Sequence, residues 1–145
     1  TPEDRVVSFD VHTRLTENFF EMINDSGFSR LPIYSGDNGN IIGILFAKDL
    51  IVEDDHITIK ETEEAFEHEF LTVRPSDLLD RVLAKMLKSR HHMAIVRNRS
   101  GRFVGVITME DIIEEIIQQE IVDEDDEPIE LDTSESSLTP EKYNV

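Results

Sequence analysis

Cysteine and tryptophan are absent from this chain of 145 residues, and glycine and proline are scarce, with six and five copies. The lack of cysteine excludes disulfide bonds, thiol catalysis and cysteine-ligated zinc, and it agrees with a reducing compartment. The longest apolar run, residues 41–47, is far shorter than the roughly 20 residues that a membrane helix needs. No signal peptide is expected before the first strand, and we expect the chain itself to be soluble.

Basic residues are scarce as well. The chain has 14 Lys and Arg against 32 Asp and Glu, a formal net charge of −18. Because such a field repels phosphate backbones, no nucleic-acid partner is expected. The acidic stretch at residues 123–127 lacks the ligand spacing of a calcium loop and is interpreted as a solvated charge run. Few large apolar residues follow it, which predicts a disordered acidic tail at 128–145.

The chain contains an internal repeat, since residues 33–50 align without a gap on residues 95–112. Each copy has an apolar strand, a glycine turn, a second strand entered through Gly43 or Gly105, and a helix that carries Asp49 or Asp111. A unit of about 60 residues is marginally stable alone, so the two copies are expected to pack together. The predicted units are residues 1–60, with an N-terminal helix, and 61–127.

Hydrophobic periodicity predicts an α/β (α+β) fold, with a small, mostly antiparallel or mixed three-stranded sheet and flanking helices in each unit. Thr1 and Pro2 are typical of a helix start, and Ser76 is expected to cap a later helix. Weak helix signals also occupy residues 61–68 of an acidic linker. The predicted helices cover 16–25, 77–89 and 109–121, and the strands cover 7–9, 31–34, 41–46, 71–73, 93–97 and 103–108.

Thr108 ends a predicted strand, and Asp111 follows one turn later at the start of a helix. A hydroxyl and a carboxylate in this arrangement can bind one small polar ligand such as a sugar diol. The alternative is that Thr108 only caps the helix and Asp111 interacts with the helix dipole. The residues alone favour this capping role.

Residues 105–111, GVITMED, resemble the closing signature of a cystathionine-β-synthase (CBS) domain, and tandem CBS domains form a Bateman module. Six ordered motifs together are similar to the cytosolic module of cyclin M (CNNM)/CorC magnesium transporters. The resemblance covers about residues 1–127. The motifs lie at residues 1–4, 26–34, 40–43, 48–50, 92–96 and 108–116.

The resemblance implies that ATP with Mg²⁺ binds as a ligand in the cleft between the two repeats. It assigns Thr108 and Asp111 to the ribose, and Thr1 and Phe28 to the adenine. Ser29 and Arg30 are then expected near the phosphates, and Pro32 and Ile107 in an apolar slot. Apart from the resemblance, Arg30 has the alternative role of a surface salt bridge.

Two departures from the family limit what is expected. The first repeat has Phe46 where the second has Thr108, although Asp49 matches Asp111, so one nucleotide per chain is predicted. The turn from Asn98 to Arg102 is short, whereas animal cyclin M proteins have a long phosphatase-docking loop there. Phosphatase binding is therefore not expected.

Other candidate sites are weaker. His91 and His92 are adjacent on a strand and face opposite sides, so a surface or phosphate-proximal role is favoured over shared metal binding. No nucleophile elbow, phosphate-binding glycine loop or metalloprotease motif is present, and the protein is not expected to be an enzyme.

Three hypotheses follow. The favoured one is a regulatory MgATP sensor at the cytosolic face of a plasma or inner membrane, where it controls Mg²⁺ transport by its own transmembrane domain, absent from this chain. The alternatives are a structural homodimerisation module without nucleotide and a nucleotide hydrolase. An apolar stripe on the last helix predicts a head-to-head homodimer, unless the stripe packs within its own chain; its members are Ile112, Ile113, Ile116, Ile117 and Ile121.

Overall fold

A computed structural model describes residues 1–50, 57–62 and 64–126. The chain forms two similar halves, each with a strand, a helix and a hairpin of two longer strands. The first half contains β1 (Phe9–Asp10), α1 (Glu17–Ser26), β2 (Arg30–Ser35) and β3 (Asp37–Phe46). The second contains β5 (Leu71–Val73), α2 (Leu79–Ser89), β6 (Met93–Arg97), β7 (Phe103–Thr108) and α3 (Met109–Asp126), and β4 (Phe66–Glu67) lies between the halves in sequence.

The strands form two mixed sheets. In the second sheet, of order β5-β6-β7, the outer strand β5 runs parallel to β6 and the hairpin is antiparallel. This matches the predicted three strands. The first sheet has the order β1-β2-β3-β4 and gains a fourth strand, because β4 pairs antiparallel with β3. A two-residue strand of this kind has no hydrophobic period of its own. Among the described residues of the stretch 61–68, which has weak helix signals, Glu61 ends the 3₁₀ turn Ile59–Glu61 and Phe66–Glu67 form β4.

The segment that precedes each repeat packs on the last strand of the other repeat. Residues 1 and 2 lie against β7, where the Thr1 backbone nitrogen donates to the Val106 carbonyl (2.8 Å) and the Val106 amide donates to the Thr1 carbonyl (2.9 Å). β4 lies in the same way against β3. Glycine permits both approaches: a Cβ at Gly105 would overlap the Thr1 carbonyl oxygen, and one at Gly43 would lie 2.6 Å from the Glu67 carbonyl oxygen.

The predicted initial helix is therefore wrong in its details. Pro2, rather than Thr1, precedes the 3₁₀ turn Glu3–Arg5, and no side chain caps it. Thr1 forms backbone hydrogen bonds with β7 instead, a long-range pairing that the local cap pattern does not reveal.

The helices are close to their predicted positions. Thr16 caps α1 by accepting from the Phe19 amide, and Gly27 ends it with φ of 70°. The prediction that Ser76 caps α2 is wrong, because Leu78 occupies the cap position without a side-chain hydrogen bond, and Asp77 instead accepts from the Arg74 amide. α3 continues to Asp126, five residues beyond its predicted end.

Three apolar clusters form the core, and the middle one joins the two halves. It combines the β3 residues Ile41 and Ile44 with side chains of β6 and β7. The other two clusters lie under α1 and between α2 and α3. The halves thus bury apolar surface against each other, as expected for units too small to be stable alone.

Some expectations stay predictions. The predicted tail at 128–145 lies outside the described residues, and the unit boundary at 60/61 is not tested. No helix in the described part of the chain combines the length and apolarity needed to cross a membrane.

Candidate functional site

Thr108 and Asp111 form a reciprocal pair where β7 leads into α3. The Asp111 amide donates to Thr108 Oγ1 (3.2 Å), and the Thr108 amide lies 3.4 Å from Asp111 Oδ2. This is the geometry of a capping box, so the capping role inferred from the residues is present. The hydroxyl proton of Thr108 and Asp111 Oδ1 take no part in it, and both groups retain capacity for a ligand.

The N-terminal segment covers this junction. Its pairing with β7 holds Thr1 beside Val106, two residues before Thr108. An ion pair between Arg102 Nη2 and Glu3 Oε1 (2.9 Å) adds a contact to the second half. The segment thereby contributes Thr1 and Arg5 to the same place as the capping pair.

The first half supplies the opposite wall from the start of β2. Phe28, which follows the left-handed Gly27, is 50% exposed, an unusual position for a large apolar ring. Arg30 places its guanidinium carbon 5.8 Å from the ring centroid of Phe46. Among the described residues Arg30 has no ion pair, so the proposed surface salt bridge is not observed there.

These walls enclose one cleft between the halves. Its cavity volume is about 100 Å³, below the roughly 300–1,000 Å³ of typical ligand pockets, so a nucleotide would be only partly enclosed. The predicted residues that line it are Thr1, Phe28, Arg30, Pro32, Thr108 and Asp111.

Two predicted residues do not line the cleft. Ile107 lies between Val106 and Thr108 on β7 and packs instead against the cluster of α2 and α3, because alternate strand residues face opposite sides. Ser29 is exposed nearby, and its carbonyl accepts from the Ala47 amide.

The sequence interpretation missed several lining residues. Val106 was identifiable, because strand alternation from Thr108 selects it rather than Ile107. The remaining ones depend on how the N-terminal segment and β6 are placed, which no local pattern shows; they are Arg5, Val6, Val7 and Met93.

The cleft combines apolar walls with a few polar groups at one end. Phe28, Pro32 and Val106 offer surfaces to a flat ring, and Thr108 and Asp111 offer a donor and an acceptor for hydroxyl groups. The cations Arg5 and Arg30 line the same space. This chemistry suits a nucleoside with an anionic substituent.

The equivalent position of the first repeat is different. Phe46 is half-buried beside the middle cluster, and Asp49 ends the short 3₁₀ turn Ala47–Asp49. A hydroxyl is therefore missing where the second repeat has Thr108. In the described residues no group of three His, Cys, Asp or Glu is arranged to hold a metal ion.

The turn from Asn98 to Arg102 is tight, because Asn98 Oδ1 accepts from the Ser100 amide and hydroxyl and from the Arg102 amide.

Comparison with known proteins identifies the fold and the family. The family model of the CBS domain matches residues 2–56 and 63–118. The chain is 35% identical over 136 residues to the magnesium and cobalt efflux protein CorC of Escherichia coli (strain K12), covering 90% of this chain and 44% of that protein. It is 33% identical over 127 residues to the UPF0053 protein YhdP of Bacillus subtilis (strain 168), covering 86% of this chain and 28% of that protein. The chain thus spans less than half of these relatives.

A solved structure supports the same conclusion. The CBS domain of the bacterial CNNM/CorC family Mg²⁺ transporter in complex with ATP superposes with a TM-score of 0.70 at 28% identity, covering 81% of this chain and 82% of that one. The resemblance found in the sequence motifs is confirmed. The chain belongs to the CBS-domain family, as a tandem pair related to the CBS modules of CNNM/CorC magnesium transporters.

Proposed function

We propose that the chain is a regulatory module that binds MgATP in the cleft between its two CBS repeats and controls Mg²⁺ transport by an attached membrane domain. The observation that carries this proposal is the convergence of Thr108, Asp111, Phe28 and Arg30 on one cleft. Those residues come from both repeats, so a ligand there would sense how the halves are arranged. A related module with similar fold has been solved with ATP.

Each wall of the cleft has a role in this proposal. Asp111 and the hydroxyl of Thr108 bind the ribose diol, while Thr1 and Phe28 contact the adenine. Pro32 and Val106 line the apolar slot. Ile107 supports the slot from behind, through its packing under α3.

The phosphates face an unfavourable overall field. A chain of net charge −18 repels a polyphosphate, so local cations and a bridging metal ion are required. Arg30 supplies one such cation, Ser29 lies beside it, and Mg²⁺ carried by the phosphates supplies further positive charge. Binding should therefore depend on Mg²⁺.

Regulation requires that MgATP binds two arrangements of the module with different affinity, since a ligand that binds both equally shifts nothing. We propose that these are arrangements of a homodimer, which transmits the change to its own transmembrane domain at the cytosolic face of the membrane. Docking of a phosphatase is not part of the proposal, because the turn at Asn98 is short.

A structural dimerisation module without nucleotide is the alternative, and the exposed side chains of Ile113, Ile117 and Ile121 favour it. A hydrolase is the third hypothesis, and release of phosphate from bound ATP would identify it.

Calorimetric titration of ATP tests the proposal, with Mg²⁺ and then with EDTA. We expect saturable binding near one nucleotide per chain, weakened without metal. Asp111→Asn should weaken it about 10-fold or more, since a charge-assisted hydrogen bond contributes about 1.5–3 kcal/mol. Asp49→Asn is the matched control, because Asp49 is the equivalent residue outside the cleft. Absence of heat in every condition would leave the structural alternative.

A further inference from the structure

Helix α2 carries a stripe of cations on its exposed face. Arg81, Lys85 and Lys88 follow one another at spacings of four and three residues, which places them on one side of the helix. All three residues are exposed, while Val82 and Met86 on the other side are buried in the core. The stripe is therefore open to a binding partner.

The stripe reverses the charge of a strongly acidic chain. Asp80 is the one acidic residue of α2, in a protein of net charge −18. Among the described residues none of the three cations of the stripe forms an ion pair. The helix dipole favours a cation in the last turn but not in the first, so it does not explain Arg81. The equivalent helix α1 has no basic residue, and the repeat itself therefore does not require a basic helix.

Large apolar side chains lie beside the stripe. Leu78 and Leu87 are 59% and 61% exposed, although leucine is most often buried. Cations next to exposed leucines complement a partner that carries acidic and apolar side chains together.

The path of α3 brings the acidic end of the sequence close to this face. The Met109 amide at the start of α3 donates to the His92 carbonyl (2.8 Å), just after α2 has ended. Ile112 and Ile116 then join the α2 residues of the same core cluster, so α3 runs back along α2. With 18 residues against 11, α3 is about 27 Å long and α2 about 16 Å, so α3 ends roughly 10 Å past the first turn of α2.

Residues 127–145 follow α3 in the sequence and complement the stripe in charge. They include the apolar Ile129 and Leu131 and one basic residue, Lys142. Their acidic residues are Glu127, Glu130, Asp132, Glu135 and Glu141. About ten extended residues span roughly 30 Å, which is enough to return from the end of α3 over the whole of α2.

We propose that residues 127–138 dock on the α2 stripe of their own chain, with their carboxylates against its three cations and their apolar side chains beside Leu78 and Leu87. Attachment to α3 gives this segment an effective concentration on the order of millimolar, which a free anionic partner does not have. An anionic membrane is the weaker candidate, because the remainder of the chain repels it. The docked segment neutralises the stripe and closes this helix face to other anionic partners.

Backbone amide NMR with a spin label tests the docking in the full chain. The chain has no cysteine, so Ser134→Cys provides one attachment point for a nitroxide. We expect the label to cause a loss of amide signal intensity at Arg81, Lys85 and Lys88 and to leave the signals of α1 unchanged. The loss should disappear in about 1 M salt, where the Debye length is about 3 Å.

Two pairs of substitutions, each in the spin-labelled chain, show whether the stripe is responsible. Lys85→Gln with Lys88→Gln should abolish the selective loss of signal on α2. Lys48→Gln with Lys60→Gln makes the same change of charge at exposed positions outside α2 and should retain it.

A mixture of spin-labelled chain and isotopically labelled chain without the spin label separates contacts within one chain from contacts between copies. We expect no loss of signal on α2 in the mixture. A loss there would assign the face to the segment of a second copy and overturn the proposal. Equal losses on α1 and α2, no loss at all, or a loss that survives the Lys85→Gln and Lys88→Gln changes would also overturn it. No nucleotide is present, so each of these outcomes leaves the proposed function as it stands.

Discussion

At the scale of single residues, Thr108 and Asp111 serve the helix and the cleft together. The capping box uses Thr108 Oγ1 as an acceptor and one carboxylate oxygen of Asp111. The same contacts fix the positions of Thr108 Oγ1 and the Asp111 carboxylate, and the hydroxyl proton is free to rotate toward a ligand. A ligand therefore meets groups whose positions are already fixed, which lowers the entropy lost on binding.

Asp10 provides a pH-dependent contribution to stability. The hydrogen bond from the His12 amide is the main cause that lowers the pKa of Asp10 below its ordinary value of 3.8; desolvation opposes it, and the Gly36 amide and the nearby His12 side chain add to it. Because the folded pKa is the lower one, the contribution is present above the unfolded pKa and is lost as pH falls through the folded value.

We expect Asp10→Asn to be less stable than the unaltered chain near neutral pH and equally stable in strong acid. Urea unfolding at about pH 6 and in acid strong enough to protonate Asp10 in both states measures the two limits. Glu21→Gln is a suitable control, because Glu21 is an exposed carboxylate on α1 and accepts no side-chain hydrogen bond among the described residues. A difference between Asp10→Asn and the unaltered chain that persists in acid would contradict the assigned cause.

At the scale of elements, the crossing segments hold the site together. Gly105 lets the N-terminal segment approach β7, and this approach places Thr1 in the cleft. Gly43 does the same for β4 in the other half. The two signature glycines therefore have the same structural role. Each lets the backbone of the segment that precedes the other repeat pack closely on the last strand of its own repeat.

Gly105→Ala should displace Thr1, because the added Cβ would overlap the Thr1 carbonyl oxygen. We expect a loss of about 1–3 kcal/mol in the free energy of unfolding, as for overpacking elsewhere, and weaker nucleotide binding. Urea unfolding and calorimetry measure the two effects. Gly39→Ala, where a Cβ meets only ordinary contacts, is the control, and equal behaviour of the two variants would contradict the role of Gly105.

The sequence predicted the elements whose signals are local. β6 and β7 have their predicted bounds, and α1 begins after its Thr16 cap and ends at Gly27. The pairings of Thr1 and β4 were not predicted, since each joins segments distant in sequence. Six of the eight candidate residues line the cleft. Ile107 does not, because alternate residues of β7 face opposite sides, and Ser29 is exposed beside the cleft.

At the scale of the whole molecule, α3 presents apolar surface beyond its own core. Ile112 is fully buried, whereas Ile113, Ile117 and Ile121 are 43%, 54% and 53% exposed. In the described structure these three side chains therefore do not pack within their own chain, contrary to the alternative that the whole stripe does so. A second copy of the module could cover them.

We expect the chain to form dimers that Ile117→Glu converts to monomers, because a buried unpaired charge opposes association. Sedimentation across a concentration series measures the equilibrium. Gln118→Glu makes the same charge change at an adjacent exposed position and should leave the dimer intact. A monomeric unaltered chain would contradict the dimer at the concentrations measured.

Titration of MgATP into isotopically labelled chain, followed by backbone amide NMR, tests the central claim most directly, because it detects binding and locates it together. We expect saturable shifts at the amides of Arg30, Val106 and Asp111, which surround the cleft. An unchanged spectrum, or shifts confined to the turns at residues 36–40 and 98–102, would contradict a nucleotide site between the two repeats.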